Sequence, residues 1–471
     1  MPAEATCSAI RTDAGALSDG TGIEAVTLSN ARGVSARILT YGAALQALVA
    51  PGSDGALADL VLGHDDVEGY EATRGFLGVT IGRYANRIAH GRIVLDGTVH
   101  APVRNDGTNI LHGGEPGFDR VVWEIVSSSS GATASVTLRY VSPDGDGGFP
   151  GELTATVTYS LNDDDALTIA FAATTTRPTV VSMTNHALFN LAGEGAPDGT
   201  TQHRLTVGAS AFTPIDRQLI PTGEIQSVEG TAFDFRHGRR IADGLRDGHD
   251  AQIAFGRGYD HNFVLDKGMT AEPQFAARLE DPNSGRRVDV LTTEPGLQLY
   301  SANAFDGRVR GKRGHLYRMG DGIALEPQKF PDTPNQPSFG SARLDPGQVY
   351  RHTFAARSPG NHSSKPKLTM PQVSAVILSP ARPMANPPLS PRPSVGRSGA
   401  TVADTARAVE PKRRITRSAS ATRSRAIRKR ADSGMNAPSA TSASPVGRLA
   451  SQRMRQPKIG WSSAERPLAA R

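Results

Sequence analysis

The sequence predicts an all-β protein, a large antiparallel β-sandwich, on two observations. In the middle of the chain Leu153, Ala155, Val157, Tyr159 and Leu161 alternate strictly with Thr154, Thr156, Thr158 and Ser160. That is the two-residue period of a strand with one buried face. Elsewhere short apolar runs recur with turn residues between them, and 50 Gly and 32 Pro in 471 residues supply those turns. Many short strands joined by turns argue for a sandwich of packed sheets.

Taken in order, ARILTYGAALQALVAP (36–51) reads as strand, turn, strand, broken at Gly42 and Pro51. Residues 60–63 and 76–81 give further short apolar segments. GRIVLDGTVH (91–100) reads as a hairpin turning at Asp96-Gly97. Residues 123–126 and 136–140 are strand-like. After the alternating run, residues 162–165 make a turn, and Leu167, Ile169 and Phe171 carry the alternation back as the second arm of a hairpin. ARLEDPNSGRRVDVLT (277–292) sets a Pro-Asn-Ser-Gly turn between two more strands. VSMTNHALFNLAG (181–193) places His186 inside an apolar, strand-like run.

The net charge of +6 hides two opposed regions. Of 52 Lys+Arg and 46 Asp+Glu, 21 and 4 fall in residues 358–471, leaving 31 and 42 in residues 1–357. The basicity therefore belongs to a Ser/Pro/Arg-rich tail with no sustained apolar period, which predicts a disordered C-terminal extension following a domain of residues 1–357. That tail can contact nucleic acid or anionic surfaces by sequence-independent electrostatics; the plainer reading is an extension without a role, such as read-through or a shifted frame produces. Nucleic-acid binding is not expected of the domain. The single cysteine, Cys7, excludes an intrachain disulfide and a paired-thiolate zinc site. No signal-like start and no run of apolar residues long enough to span a bilayer is present, so the chain reads as soluble and cytoplasmic, with no membrane partner.

Four polar stretches lie beside Gly or Pro, where backbone turns bring side chains to a surface. They are GRYANRIAHG with Asn86 and Arg87, NILHGGEPGFDRVVW with His112, GYDHNFVL with Asp260 and His261, and ALEPQKFPDTPNQPSF with Glu326. Each has a plain structural account alone: Arg87 in a surface ion pair, His112 in a turn, Asp260 as a cap, Glu326 as a strand-end charge. His186, likewise, reads alone as a core histidine satisfied by a backbone carbonyl. As a functional group it is the side chain whose ordinary pKa lies nearest neutrality, suited to giving up a proton as a bond breaks.

With TNHALFNLAG and TTEPGLQLYSAN, these stretches occur in the order seen in the aldose 1-epimerases, the galactose mutarotase family, which the chain resembles over residues 20–357. The resemblance implies a galactose mutarotase-like β-sandwich and interconversion of the α and β anomers of free aldoses, without cofactor or metal. It implies His186 as the acid at the ring oxygen and Glu326 as the base at the anomeric hydroxyl. Asn86, Arg87, His112, Asp260 and Glu294 match sugar-binding positions. Such chemistry needs the histidine protonated and the glutamate ionised, with Arg87 and His112 stabilising charge on oxygen.

Two departures bear on specificity: Leu188 stands where relatives usually carry an aromatic residue, expected to flatten one pocket wall, and Pro327 follows the glutamate where Thr is usual. No further basic cluster accompanies the motifs, which points away from phosphorylated sugars. The expected partner is a free aldose, with the chain a monomer or dimer. The alternative is a non-catalytic carbohydrate-binding or sugar-sensing protein on the same fold. His112, His186 and Glu326 also form a two-histidine, one-carboxylate set, but their sequence spacing fits no compact ligand motif, so no metal is expected.

Overall fold

The computed structural model describes residues 7–357. The expected disorder of residues 358–471, and that segment as a separate region, lie outside the described residues. Within them the regular structure is mostly strand, with three short α-helices, Val67–Ala72, Ala242–Leu245 and Ala251–Gly256. None of the three was visible as an apolar period in the sequence, because each has only one to two turns.

A nine-stranded antiparallel sheet forms one layer. Its third and fourth strands are the predicted hairpin, Leu153–Asn162 with Ala166–Thr175, paired from Leu153↔Thr175 to Leu161↔Leu167. The alternating apolar residues of the first arm are all fully buried, while its threonines are only half-buried. The last described strand, Tyr350–Arg357, is inserted between Ala166–Thr175 and Arg287–Thr292. The Pro-Asn-Ser-Gly turn joins Gln274–Glu280 to Arg287–Thr292 as expected. Asp96 and Gly97 both take positive φ (51° and 77°) at the tip of the predicted small hairpin, the backbone that a two-residue turn between twisted strands requires.

The opposing layer contains a six-stranded sheet ordered Leu188–Phe189, Ile323–Gln328, Gly296–Tyr300, Asp260–Val264, Ala211–Thr213 and Gln226–Ser227. A five-stranded sheet from the N-terminal part, Ser8–Ala16 through Leu57–Asp59, completes the core, its Val26, Leu28, Ile38 and Leu48 joining the same cluster as Val157, Leu299 and Leu325. Strand alternation in the six-stranded sheet then sorts chemistry from packing. His261, Phe263, Leu297, Leu299, Ile323 and Leu325 alternate with Asp260, Asn262, Gln298, Tyr300, Ala324 and Glu326. The odd-numbered apolar residues enter the core, and the even-numbered face carries the polar ones.

Candidate active site

Asp260, Tyr300 and Glu326 from that polar face line a cleft of about 450 Å³, with Asn86, His112 and His186 arriving from loops and Arg87 from a short strand. Cross-strand pairing sets the spacing: Glu326 lies opposite Gln298, and Asp260 opposite Tyr300. Glu326 is thus a strand-interior residue, 1% exposed, rather than a strand-end charge.

The GRYANR and LHGG stretches are pressed together by glycine. A Cβ on Gly113 (φ 84°) would lie 1.9 Å from the Gly82 carbonyl oxygen, so only glycine permits the approach. Arg87–Ile88 then pairs with Ile110–Leu111, and the Asn86 N–H donates to His112 Nδ1 at 3.2 Å. That bond leaves His112 Nε2 to carry the proton in the neutral ring. Burial, then His186, Arg87 and Arg74, hold His112 well below its ordinary pKa, so it is neutral.

The run around His186 is not one strand. Thr184–Asn185 pairs with Thr80–Ile81 and Leu188–Phe189 pairs with Ile323–Gln328, and His186 lies between the two pieces. Its N–H donates to the Val79 carbonyl at 2.9 Å and its own carbonyl accepts from Gly78 at 3.0 Å. With the backbone so fixed, the ring stands edge-on to His112 at 5.1 Å and beside Phe76 and Tyr300 at 5.9 and 6.0 Å. Nε2 is 3.5 Å from Glu326 Oε1, while His186 Nδ1 and Glu326 Oε2 have no hydrogen-bond partner among the described residues.

Burial dominates the electrostatics of this pair. It pushes His186 down to about 4, against weaker support from backbone groups of His186 and Phe76. It raises Glu326 well above the ordinary carboxylate value, helped by Asp260 and opposed by Arg87. The expected protonated histidine with ionised glutamate is therefore inverted in the protein alone: desolvation favours both neutral forms, which puts the pair's one proton on Glu326. Asp260 is raised too, by burial, though Arg87 and a 2.6 Å hydrogen bond from Gln298 Nε2 oppose this. Arg87 Nε is held by Asp106 at 2.7 Å, and its Nη1 lies 3.7 Å from Asp260.

Backbone strain gathers here. Among the described residues twelve non-glycine positions take a left-handed φ, and five of them, Phe76, Asn86, His112, Leu219 and Arg257, line this cleft. Such a concentration marks a surface shaped for use rather than for stability.

A match to the aldose 1-epimerase family extends over residues 24–357. The chain belongs to the aldose 1-epimerase family. It is 43% identical to the galactose mutarotase of Bos taurus over 316 residues, 67% of this chain and 88% of that one. To the aldose 1-epimerase of Escherichia coli it is 38% identical over 335 residues, 70% of this chain and 94% of the relative. The crystal structure of galactose 1-epimerase from Lactobacillus acidophilus superposes with a TM-score of 0.65 at 29% identity, covering 75% of this chain and 98% of that one. An aldose epimerase homologue from C. elegans gives 0.63 at 30% identity, over 74% and 98%.

Six of the seven residues anticipated for an aldose 1-epimerase site, His186, Glu326, Asn86, Arg87, His112 and Asp260, converge on the cleft. Glu294 does not. It is 2% exposed in a separate buried cluster, accepting from the Tyr350 hydroxyl at 3.2 Å and lying 3.9 Å from Lys329 Nζ. From the same TTEPGLQLYSAN motif it is Gln298 that reaches the site, through Asp260. The clue was available, since Gln298 and Tyr300 are the polar positions of a strand whose Leu297 and Leu299 are core.

Leu188 also lies elsewhere: it is fully buried among Leu62, Tyr70, Ala324 and Tyr317 and forms no wall of the cleft. The sequence spacing of His112, His186 and Glu326 fits no compact ligand motif, yet the fold gathers the three. His112, His186 and Glu326 bring ligand-capable atoms within 4.8 Å of one another.

Proposed function

We infer that this protein interconverts the α and β anomers of free aldoses, with Glu326 and His186 as the acid–base pair. The observation that carries this reading is a carboxyl and an imidazole 3.5 Å apart, buried together in a cleft of sugar size. Family membership supplies the reaction; the pair accounts for how this chain performs it.

Ring opening starts with the pair's proton on His186 and Glu326 ionised. Glu326 takes the proton of the anomeric hydroxyl as its O–H electrons form the C1 carbonyl. The bond from C1 to the ring oxygen breaks, and its electrons take the proton from His186. The aldehyde turns about the bond from C1 to C2, and closure on the other face reverses both transfers, so no proton is gained or lost.

Because burial places the resting proton on Glu326, the hop to His186 must be favoured by the bound sugar. Its hydroxyls replace low-dielectric surroundings with hydrogen bonds to the ionised forms. Arg87, with two guanidinium nitrogens not engaged by Asp106, and the Nε2–H of His112 supply further donors to sugar oxygens. Asn86 and Asp260 fix the orientation of the ring. A cytoplasmic setting rests on the single cysteine. Polarimetry of fresh α-D-glucose, α-D-galactose and α-D-xylose tests the reading: the protein should hasten the approach to equilibrium rotation for at least one of them, and no acceleration of any would overturn it.

A further inference from the structure

Three arginines outside the recognised motifs also line the cleft: Arg74, Arg217 and Arg257. Arg74 is committed within the protein. It binds both oxygens of Asp119 at 2.8 Å, pairs with Glu115, and donates to the carbonyls of Gly114 and Pro116. Arg217 and Arg257 differ, for among the described residues neither side chain has an ion pair or a hydrogen bond. Both are exposed at the rim.

The carboxylates of the cleft do not answer them. Asp106 is held by Arg87 at 2.7 Å, Asp260 by Gln298 at 2.6 Å, and Glu326 faces His186 at 3.5 Å. Two guanidinium groups with no carboxylate partner among the described residues therefore stand on one side of a site built for a small polar ligand.

Their placement is specific. The Arg217 guanidinium lies 4.9 Å from the centre of the Phe255 ring, a contact that uses none of its N–H groups as hydrogen-bond donors to oxygen and so leaves them to meet an oxyanion. The Gln252 side chain bonds both ways to the Ile215 backbone, accepting its N–H at 2.7 Å and donating to its carbonyl at 3.0 Å. The loop bearing Arg217 and the helix leading to Arg257 are thereby clipped into one unit. Arg257 caps that helix at φ 56°, a left-handed position where glycine is usual and any other side chain is strained. A long cation is kept where the backbone favours none.

We propose that the cleft takes aldoses bearing an anionic group, a carboxylate or a phosphate, remote from the anomeric carbon, and that Arg217 and Arg257 receive the oxyanion. This rests on the anomer-interconverting reading and narrows its substrates. It revises the expectation drawn from the motifs, because the two arginines come from segments between them and meet only on folding.

The test is α–β exchange at equilibrium, followed by NMR for D-glucose, D-glucose 6-phosphate and D-glucuronic acid, with spontaneous exchange subtracted. At low salt kcat/KM for at least one anionic sugar should exceed that for glucose by about tenfold, the gain expected of two exposed charge contacts, and salt should shrink the advantage. Preference for the phosphate or for the uronate identifies the oxyanion, and either supports the proposal. The ratio of anionic to neutral kcat/KM should fall toward one in R217Q/R257Q. It should also fall in Arg257→Gly, which relieves the left-handed cap and so retains the fold. Exchange of glucose without preference for either anionic sugar, or a ratio unmoved by both variants, would overturn the proposal and leave the reaction intact. No exchange of any sugar would overturn the reaction and the proposal together.

Discussion

One proton shared by His186 and Glu326 governs how activity should depend on pH. On the proposed assignment, catalysis needs the pair to hold one proton, neither two nor none. In acid a second proton must go onto His186, and burial holds that step down to about 4. In base the last proton leaves Glu326, which burial raises well above the ordinary carboxylate range. Activity is thus lost as pH falls through about 4 and again as pH rises past the raised glutamate. A profile of kcat/KM against pH should show its acid limb near 4; a limb at the ordinary imidazole value near 6.5 would contradict the pairing. The residues of this pair were legible from their motifs, because type and order in the chain carry that information. The direction of the proton was not, since desolvation depends on neighbours that only folding supplies. Glu294 shows the same limit: its motif placed it correctly in sequence, but the turn before Gly296–Tyr300 directs its carboxylate to Tyr350 and Lys329.

Among elements, the six-stranded sheet divides stability from chemistry at every step along the chain. Leu299→Ala, on the core face, should cost about 2–5 kcal/mol in chemical denaturation, with the catalytic parameters of the folded fraction little changed. Gln298→Leu, one residue away on the polar face, removes the donor to Asp260 and should lower kcat/KM by roughly tenfold or more while stability moves far less. Equal loss of stability in both would mean that the two faces are not separate. Long alternating strands such as Leu153–Asn162 announced themselves because every second residue is apolar over ten positions. The two-residue strands flanking His186 could not, being too short for a period, and their strand-like texture comes from complete burial.

At the scale of the whole molecule, alternation and turn chemistry were enough for the sandwich, because a sheet with one buried face writes its period into the sequence. What alternation could not give was which strands are neighbours: Tyr350–Arg357 sits mid-sheet beside Ala166–Thr175, far away in the chain. That placement makes a prediction about length. Ending the chain after residue 357 should preserve folding and turnover, whereas ending it before Tyr350 removes a central strand and should abolish both, as thermal melts and polarimetry will show. The family match likewise ends at residue 357. The central claim, that Glu326 is the base which opens the ring, is tested most directly by polarimetry of fresh α-D-glucose with Glu326→Gln beside the unaltered protein. The variant should fold and still bind sugar, yet leave mutarotation at the spontaneous rate; near-normal acceleration by it would contradict the assignment.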